Sequence, residues 1–190
     1  MKVYKLFNDF ILDQISFSEK DQIIPHLITP RSIEYSPSSE KTVDHCVSSG
    51  KYCGVVPNDL NITDGRLIVF EDLRQKCVYN LGSKANKKLL FFTYMVKFYD
   101  ICIISTPTRF NQECANSVLE SLGLDTKAIQ SCIEDSFSGL VILIADYQNY
   151  LLSSNTVLDA EFKEKNLYGL AVYPGIMINN RTFFVIIKVT

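Results

Sequence analysis

The chain has 190 residues, the length of a single domain with room for an appendage, which excludes tandem large domains. With 19 basic and 21 acidic side chains the net charge is −2, so no sequence-wide positive field would draw in a phosphate backbone, and nucleic acid is not an expected partner. Hydrophobic residues make up 47%, enough to bury a core, yet the longest apolar run, Leu140 to Ala145, is far shorter than the roughly 20 residues that cross a bilayer.

The first ten residues include Asp9 where a signal peptide would carry an apolar stretch, so neither a secretion signal nor direct membrane insertion is expected of this chain. Residues 1–17 place Val3, Leu6, Phe7, Phe10, Ile11 and Ile15 near helical spacing, which predicts an amphipathic helix. The proline-punctuated apolar stretch 22–30 reads as an edge strand. Residues 36–40 read as a turn and capped helix start leading to Cys46. Between 48 and 66, Gly50, Gly54, Pro57, Asn58, Asp64 and Gly65 are too many breakers for regular structure, and a long loop is expected. Leu67–Phe70 then runs into a helix whose N-terminus is marked by Glu71 and Asp72. Leu89 to Ile104 reads as one long buried helix. Residues 111–122 and 126–133 form two more, with Gly123 as C′ residue and Asp125 as N-cap. Residues 157–165 form another helix. Strands over 170–173, 176–178 and 182–187 follow, the last two joined by Asn179-Asn180 as a type I′ hairpin turn.

Six cysteines, Cys46, Cys53, Cys77, Cys102, Cys114 and Cys132, form an even set without a Cys-x-x-Cys pair, which predicts disulfide staples rather than zinc or redox chemistry. The sequons at Asn61 and Asn180 fit the same oxidising, glycosylating compartment. Thiol exchange needs an exposed low-pKa thiolate beside a resolving partner, and the nearest pair, Cys46 and Cys53, is spaced wrongly for that. Asp44, His45 and Cys46 cannot form a triad by adjacency on a helix, so His45 reads as a surface histidine. Neither His26 nor His45 belongs to a metal-ligand spacing, and no phosphate loop, dinucleotide fingerprint or nucleophile elbow is present, so no catalytic residue, cofactor or metal is assigned. The aromatic run Phe91-Phe92-Thr93-Tyr94 reads as core rather than as a ligand-binding face.

A strand, helices, then strand, proline, strand, turn and strand is the order of an α/β, thioredoxin-like domain with a helical insertion, here stapled by disulfides; its cis-proline position would be Pro174. Pro25-His26-Leu27-Ile28-Thr29, Cys46-Val-Ser-Ser-Gly-Lys-Tyr-Cys53, Asp64-Gly65-Arg66 and Leu73-Arg74-Gln75-Lys76-Cys77-Val78-Tyr79 together resemble the plant-type vacuolar sorting receptors. Glu113-Cys114-Ala115, Ser121 to Asp125, Cys132, Val157 to Glu161, Pro174 and Ile178-Asn-Asn-Arg181 continue the likeness, which covers about residues 1–183. The resemblance is to the central lumenal thioredoxin-like domain of those receptors. It departs from them at Ser32 and Thr42, where the family carries two further cysteines, at Gly175, and at residues 184–190, which are divergent or truncated. An insertion spans 137–154, where the family connects Cys132 almost directly to its Asn-x-Val-Leu motif.

The resemblance implies a single domain over 1–190. Its expected role is that of a non-enzymatic part of a single-pass membrane receptor that binds soluble cargo in the Golgi and prevacuolar lumen and delivers it to the vacuole. Its expected partners are that cargo and the receptor's protease-associated and EGF-like domains. The alternative is a thioredoxin-fold thiol-disulfide oxidoreductase or isomerase of the secretory pathway. Cys114 and Cys132 stand at similar heights from the turn between their helices, about 13.5 and 10.5 Å by the helical rise, which predicts a Cys114–Cys132 disulfide across an antiparallel hairpin. The pairing of Cys46, Cys53, Cys77 and Cys102 is left open among three connectivities.

Overall fold

The computed structural model describes residues 24–26, 45–48, 50–54, 64–84, 89–104, 110–138 and 153–168, and the backbone of 175–178 and 181–184. The predicted helix over 1–17, Asn61, the Pro174 peptide bond, Asn180 and the strand over 170–173 lie outside them. So does most of the predicted strand over 22–30.

Among the described residues the first regular structure is a hairpin whose second strand lies inside the stretch 48–66 expected to be loop. Cys46–Val47 (β1) and Tyr52–Cys53 (β2) pair antiparallel, Cys46 opposite Cys53. Ser48 and Gly50, both at positive φ, turn the chain between them. The hairpin leaves through Gly54, which crosses the backbone of Gly65 so closely that a Cβ there would lie 1.9 Å from the Gly65 carbonyl oxygen.

The central helix α1 (Arg66–Lys84) starts a turn earlier than the acids at 71 and 72 suggest. Asp64 sets that start: its Oδ1 accepts the Arg66 N–H at 2.9 Å, and its carboxylate also pairs with the Arg66 guanidinium. Leu67–Phe70 therefore becomes the first helical turn, and Glu71, freed of an end-capping role, is buried. α1 buries Val69, Leu73, Cys77 and Val78 among others and packs on the hairpin and on two further helices.

α2 (Leu89–Phe98) buries Phe91, Phe92, Tyr94 and Phe98, so the aromatic run is core. The single helix predicted to Ile104 instead widens into a π-helical turn at Tyr99–Ile104. α3 (Gln112–Ser121) and α4 (Thr126–Ser136) follow their local signals closely. Asn111 Oδ1 accepts the Cys114 N–H, Asp125 Oδ1 accepts those of Lys127 and Ala128, and Gly123 at φ +67° makes the turn.

Phe137–Ser138 (β3) pairs antiparallel with Ser154–Asn155 (β4), which leads into α5 (Thr156–Leu167). This ladder joins the two sides of the stretch predicted as an insertion. Phe137 packs against Phe70 in the core and Ser153 and Asn155 are buried, so its predicted ends at 137 and 154 pack with the described body, while residues 139–152 lie outside the described residues. Gly175–Ile178 (β5) pairs with Arg181–Phe184 (β6), with Ile178 opposite Arg181 and two residues between them, as the hairpin prediction requires. Among the described residues the strands form three separate two-stranded ladders around a mainly helical body.

Three disulfides close this body: Cys46–Cys53, Cys77–Cys132 and Cys102–Cys114. The predicted Cys114–Cys132 bond is therefore incorrect. The axial arithmetic holds, but the two helices turn their apolar faces in different directions. Cys114, Ala115, Val118 and Leu119 of α3 face the α2 side, where Cys102 sits in the π turn. Ile129 and Ile133 of α4 face α1, and Cys132 beside them reaches Cys77. Both bridges span 5.9 Å between Cα atoms, well inside the usual window.

Candidate functional site

The polar chemistry of the described residues gathers in two places. The first is a buried network on α1. Glu71 accepts from Arg74 and Gln75 on its own helix and from the Tyr94 hydroxyl of α2 at 3.1 Å. All four side chains are buried. Burial pushes the Glu71 carboxyl above its usual range, opposed by the Arg74 guanidinium and by the hydrogen bonds it receives. Burial and the adjacent carboxylate push the Tyr94 phenol well above its own. The network joins two helices through one ionic cluster. The pocket beside it, lined by Leu67, Phe70, Arg74, Phe98, Phe110 and Gln112, has room for about one water molecule.

The second place is α5. Asn155 fixes its start: its Oδ1 accepts the Leu158 N–H and its Nδ2 donates to Ser136 Oγ at 2.8 Å, tying α5 to the end of α4. Beyond that the helix buries only Leu158 and Glu161, and charge does much of the docking. Asp159 receives Lys51 Nζ and the Tyr52 hydroxyl from the β1–β2 hairpin. Glu161 pairs with Lys76 of α1, and His26 Nδ1 lies 3.2 Å from Glu161 Oε2 and 2.8 Å from Glu164 Oε2. Lys76 also donates to the Pro25 carbonyl at 3.0 Å. The hydrogen bond to Asp159 raises the Lys51 pKa, so this pair stays ionised through neutral pH.

Sequence reasoning assigned no role to His26, Glu161 or Glu164, because 135 residues separate the histidine from its partner. The one local signal is the i, i+3 spacing of the two glutamates, which puts them on one helical face. His45, read as a surface histidine, is half-buried. Its Nδ1 accepts the Gly65 N–H at 3.0 Å and is held in the hairpin–α1 crossing.

All six cysteines are in disulfides, and all but Cys132 are buried. Burial of five of the six limits the approach of an external thiolate to their sulfurs. Among the described residues no helix is long and apolar enough to cross a membrane.

Residues 5–187 match the family model of the vacuolar sorting receptor thioredoxin-like domain. Vacuolar-sorting receptor 1 of Pisum sativum is 31% identical over 164 residues, 85% of this chain and 25% of that receptor. Vacuolar-sorting receptors 3 and 4 of Arabidopsis thaliana are each 29% identical over 164 residues, 85% of this chain and 24% of each receptor. The chain thus spans about a quarter of the length of the curated relatives it matches. It belongs to the vacuolar sorting receptor thioredoxin-like domain family.

Proposed function

We propose that this chain serves as a non-catalytic lumenal domain of a sorting receptor, helping to hold soluble cargo for delivery to the vacuole. The observation that carries the reading is the family match over residues 5–187. The lack of a Cys-x-x-Cys pair and the burial of five of the six cysteines support it against the oxidoreductase alternative, since exchange needs an accessible sulfur beside a resolving partner. The three disulfides hold the hairpin and α1–α4 as a preformed platform for cargo contact.

A domain exchange tests this. The corresponding region of the pea receptor is replaced by residues 1–190, and the chimera is expressed with a secreted reporter carrying a vacuolar sorting peptide. Retained reporter delivery is expected. Secretion of the reporter by a chimera that reaches the prevacuolar compartment would refute the sorting role, and turnover of insulin disulfides by the isolated chain would favour the oxidoreductase.

A further inference from the structure

We propose that His26, Glu161 and Glu164 form a binding site for a divalent transition-metal ion, Zn²⁺ by its donor chemistry. The three residues place one ligand atom each within 4.8 Å of one another. His26 Nδ1 stands 2.8 Å from Glu164 Oε2 and 3.2 Å from Glu161 Oε2. Ligands bonded to zinc at about 2.0–2.2 Å in a tetrahedron stand roughly 3.3–3.6 Å apart, so seating the ion would open the His26–Glu164 edge by roughly 0.5–0.8 Å and bring the two glutamate oxygens, which lie within 4.8 Å, to the same spacing. A hydrogen bond also fits the geometry as it stands, Nδ1–H donating chiefly to Glu164 Oε2 at 2.8 Å and sharing with Glu161 Oε2 at 3.2 Å, so the ion would take the place of that proton.

The ligands are also held from behind. Lys76 pairs with the other oxygen of Glu161 and donates to the carbonyl of Pro25, the residue before His26, so one side chain fixes both halves of the site. Such outer contacts orient metal ligands and are part of what makes a site. Glu161 is only 6% exposed, while Glu164, at 43%, opens one side to solvent, where a water or a fourth ligand would complete the tetrahedron. With both carboxylates ionised and Lys76 charged, the surroundings carry one net negative charge, which favours a dication. One imidazole with two carboxylates suits zinc better than calcium, which takes six to eight oxygens, or magnesium, which demands an oxygen octahedron. The ion would tie residues 24–26 to α5, and the inference does not depend on the sorting role.

The test uses the full chain, free of any polyhistidine tag, with its disulfides formed and stripped with EDTA. Calorimetric titration with Zn²⁺ should give one equivalent per chain and a raised Tm, and Co²⁺ should give the absorption of a four-coordinate site. His26→Ala and Glu164→Gln should each weaken Zn²⁺ affinity tenfold or more while keeping the same circular dichroism and disulfide map. Glu113→Gln, at an exposed position on α3, should leave it unchanged. Absence of saturable binding at about 100 µM Zn²⁺, a concentration that would populate even a Kd of that size by half, overturns the proposal. Full-strength binding in both variants, which would place the ion elsewhere, also overturns it.

Discussion

The disulfide pairing can be read from energetics without further structural work. In the chain-entropy model, a bridge contributes through the loop it closes in the unfolded chain. Cys77–Cys132 encloses a separation of 55 residues and should contribute about 4 kcal/mol. Cys102–Cys114, at 12, should contribute about 3 kcal/mol, and Cys46–Cys53, at 7, somewhat less, about 2.5 kcal/mol. The decisive experiment is a pair of double substitutions. Cys77→Ala with Cys132→Ala removes one bond and should cost little more than either alone. Cys114→Ala with Cys132→Ala breaks two bonds, and the costs should add to about 7 kcal/mol, comparable with the entire stability of a typical domain. Guanidinium unfolding of the oxidised proteins measures both. If the Cys114/Cys132 pair cost no more than Cys132→Ala alone, the two cysteines would share a bond and the orientation of α3 and α4 derived above would be wrong.

Deleting residues 139–152 should change the melting temperature little, because their ends are already joined by the β3–β4 ladder. Phe137→Ala, just outside the deletion, should cost about 3–5 kcal/mol, and a large loss from the deletion itself would show that the excursion carries core. Arg74→Met should cost about 3–5 kcal/mol at pH 7.5 by leaving the Glu71 charge buried without its cation. The Glu71 pKa is already raised above 4.5 by burial and loses its main opposing influence in this variant, so the folded state binds a proton more readily than the unfolded chain does. That contribution is fully present below about pH 4.5 and is lost as pH rises through the folded value, so the deficit against the parent protein should shrink at pH 5. A deficit independent of pH would contradict an ionised, buried Glu71. In a eukaryotic secretory host, Asn61 should give a glycosidase-sensitive mass shift that Asn61→Gln abolishes, and confirmed secretion without the shift would refute exposure of that sequon.

Signals confined to a few residues were legible in advance. Gly123 and Asp125 mark the turn between α3 and α4 because caps satisfy backbone groups within three or four positions, and the structure uses both; Asn111, read as the first residue of its helix, is in fact the N-cap. The two-residue connection between β5 and β6 is local in the same sense. The start of α1 was misplaced although it too is local, because two acids at 71 and 72 look like a first turn while the actual cap, Asp64, sits among breakers. The widening at Tyr99–Ile104 has no composition of its own. Which face each helix turns inward depends on neighbours far along the chain. That is why the height of Cys114 and Cys132 above their turn was computable while their direction was not.

α5 shows the same limit from the side of charge. Its apolar pattern is poor, with Leu158 and Glu161 its only buried side chains, so hydrophobic periodicity says little about which side meets the body. Three separate segments settle it. The hairpin reaches Asp159 through Lys51 and Tyr52, α1 reaches Glu161 through Lys76, and residues 24–26 reach Glu161 and Glu164 through His26. None of the three disulfides touches α5, and each joins elements that precede it. The covalent frame therefore fixes the hairpin and α1–α4, while α5 is positioned by ion pairs, by the Asn155 cap and by Leu158 with the partly buried Val157 and Phe162. Partly exposed ion pairs contribute little singly and respond to salt, so α5 is held more weakly than the disulfide-bonded helices and is the element whose placement is most open to adjustment by a bound ion or partner.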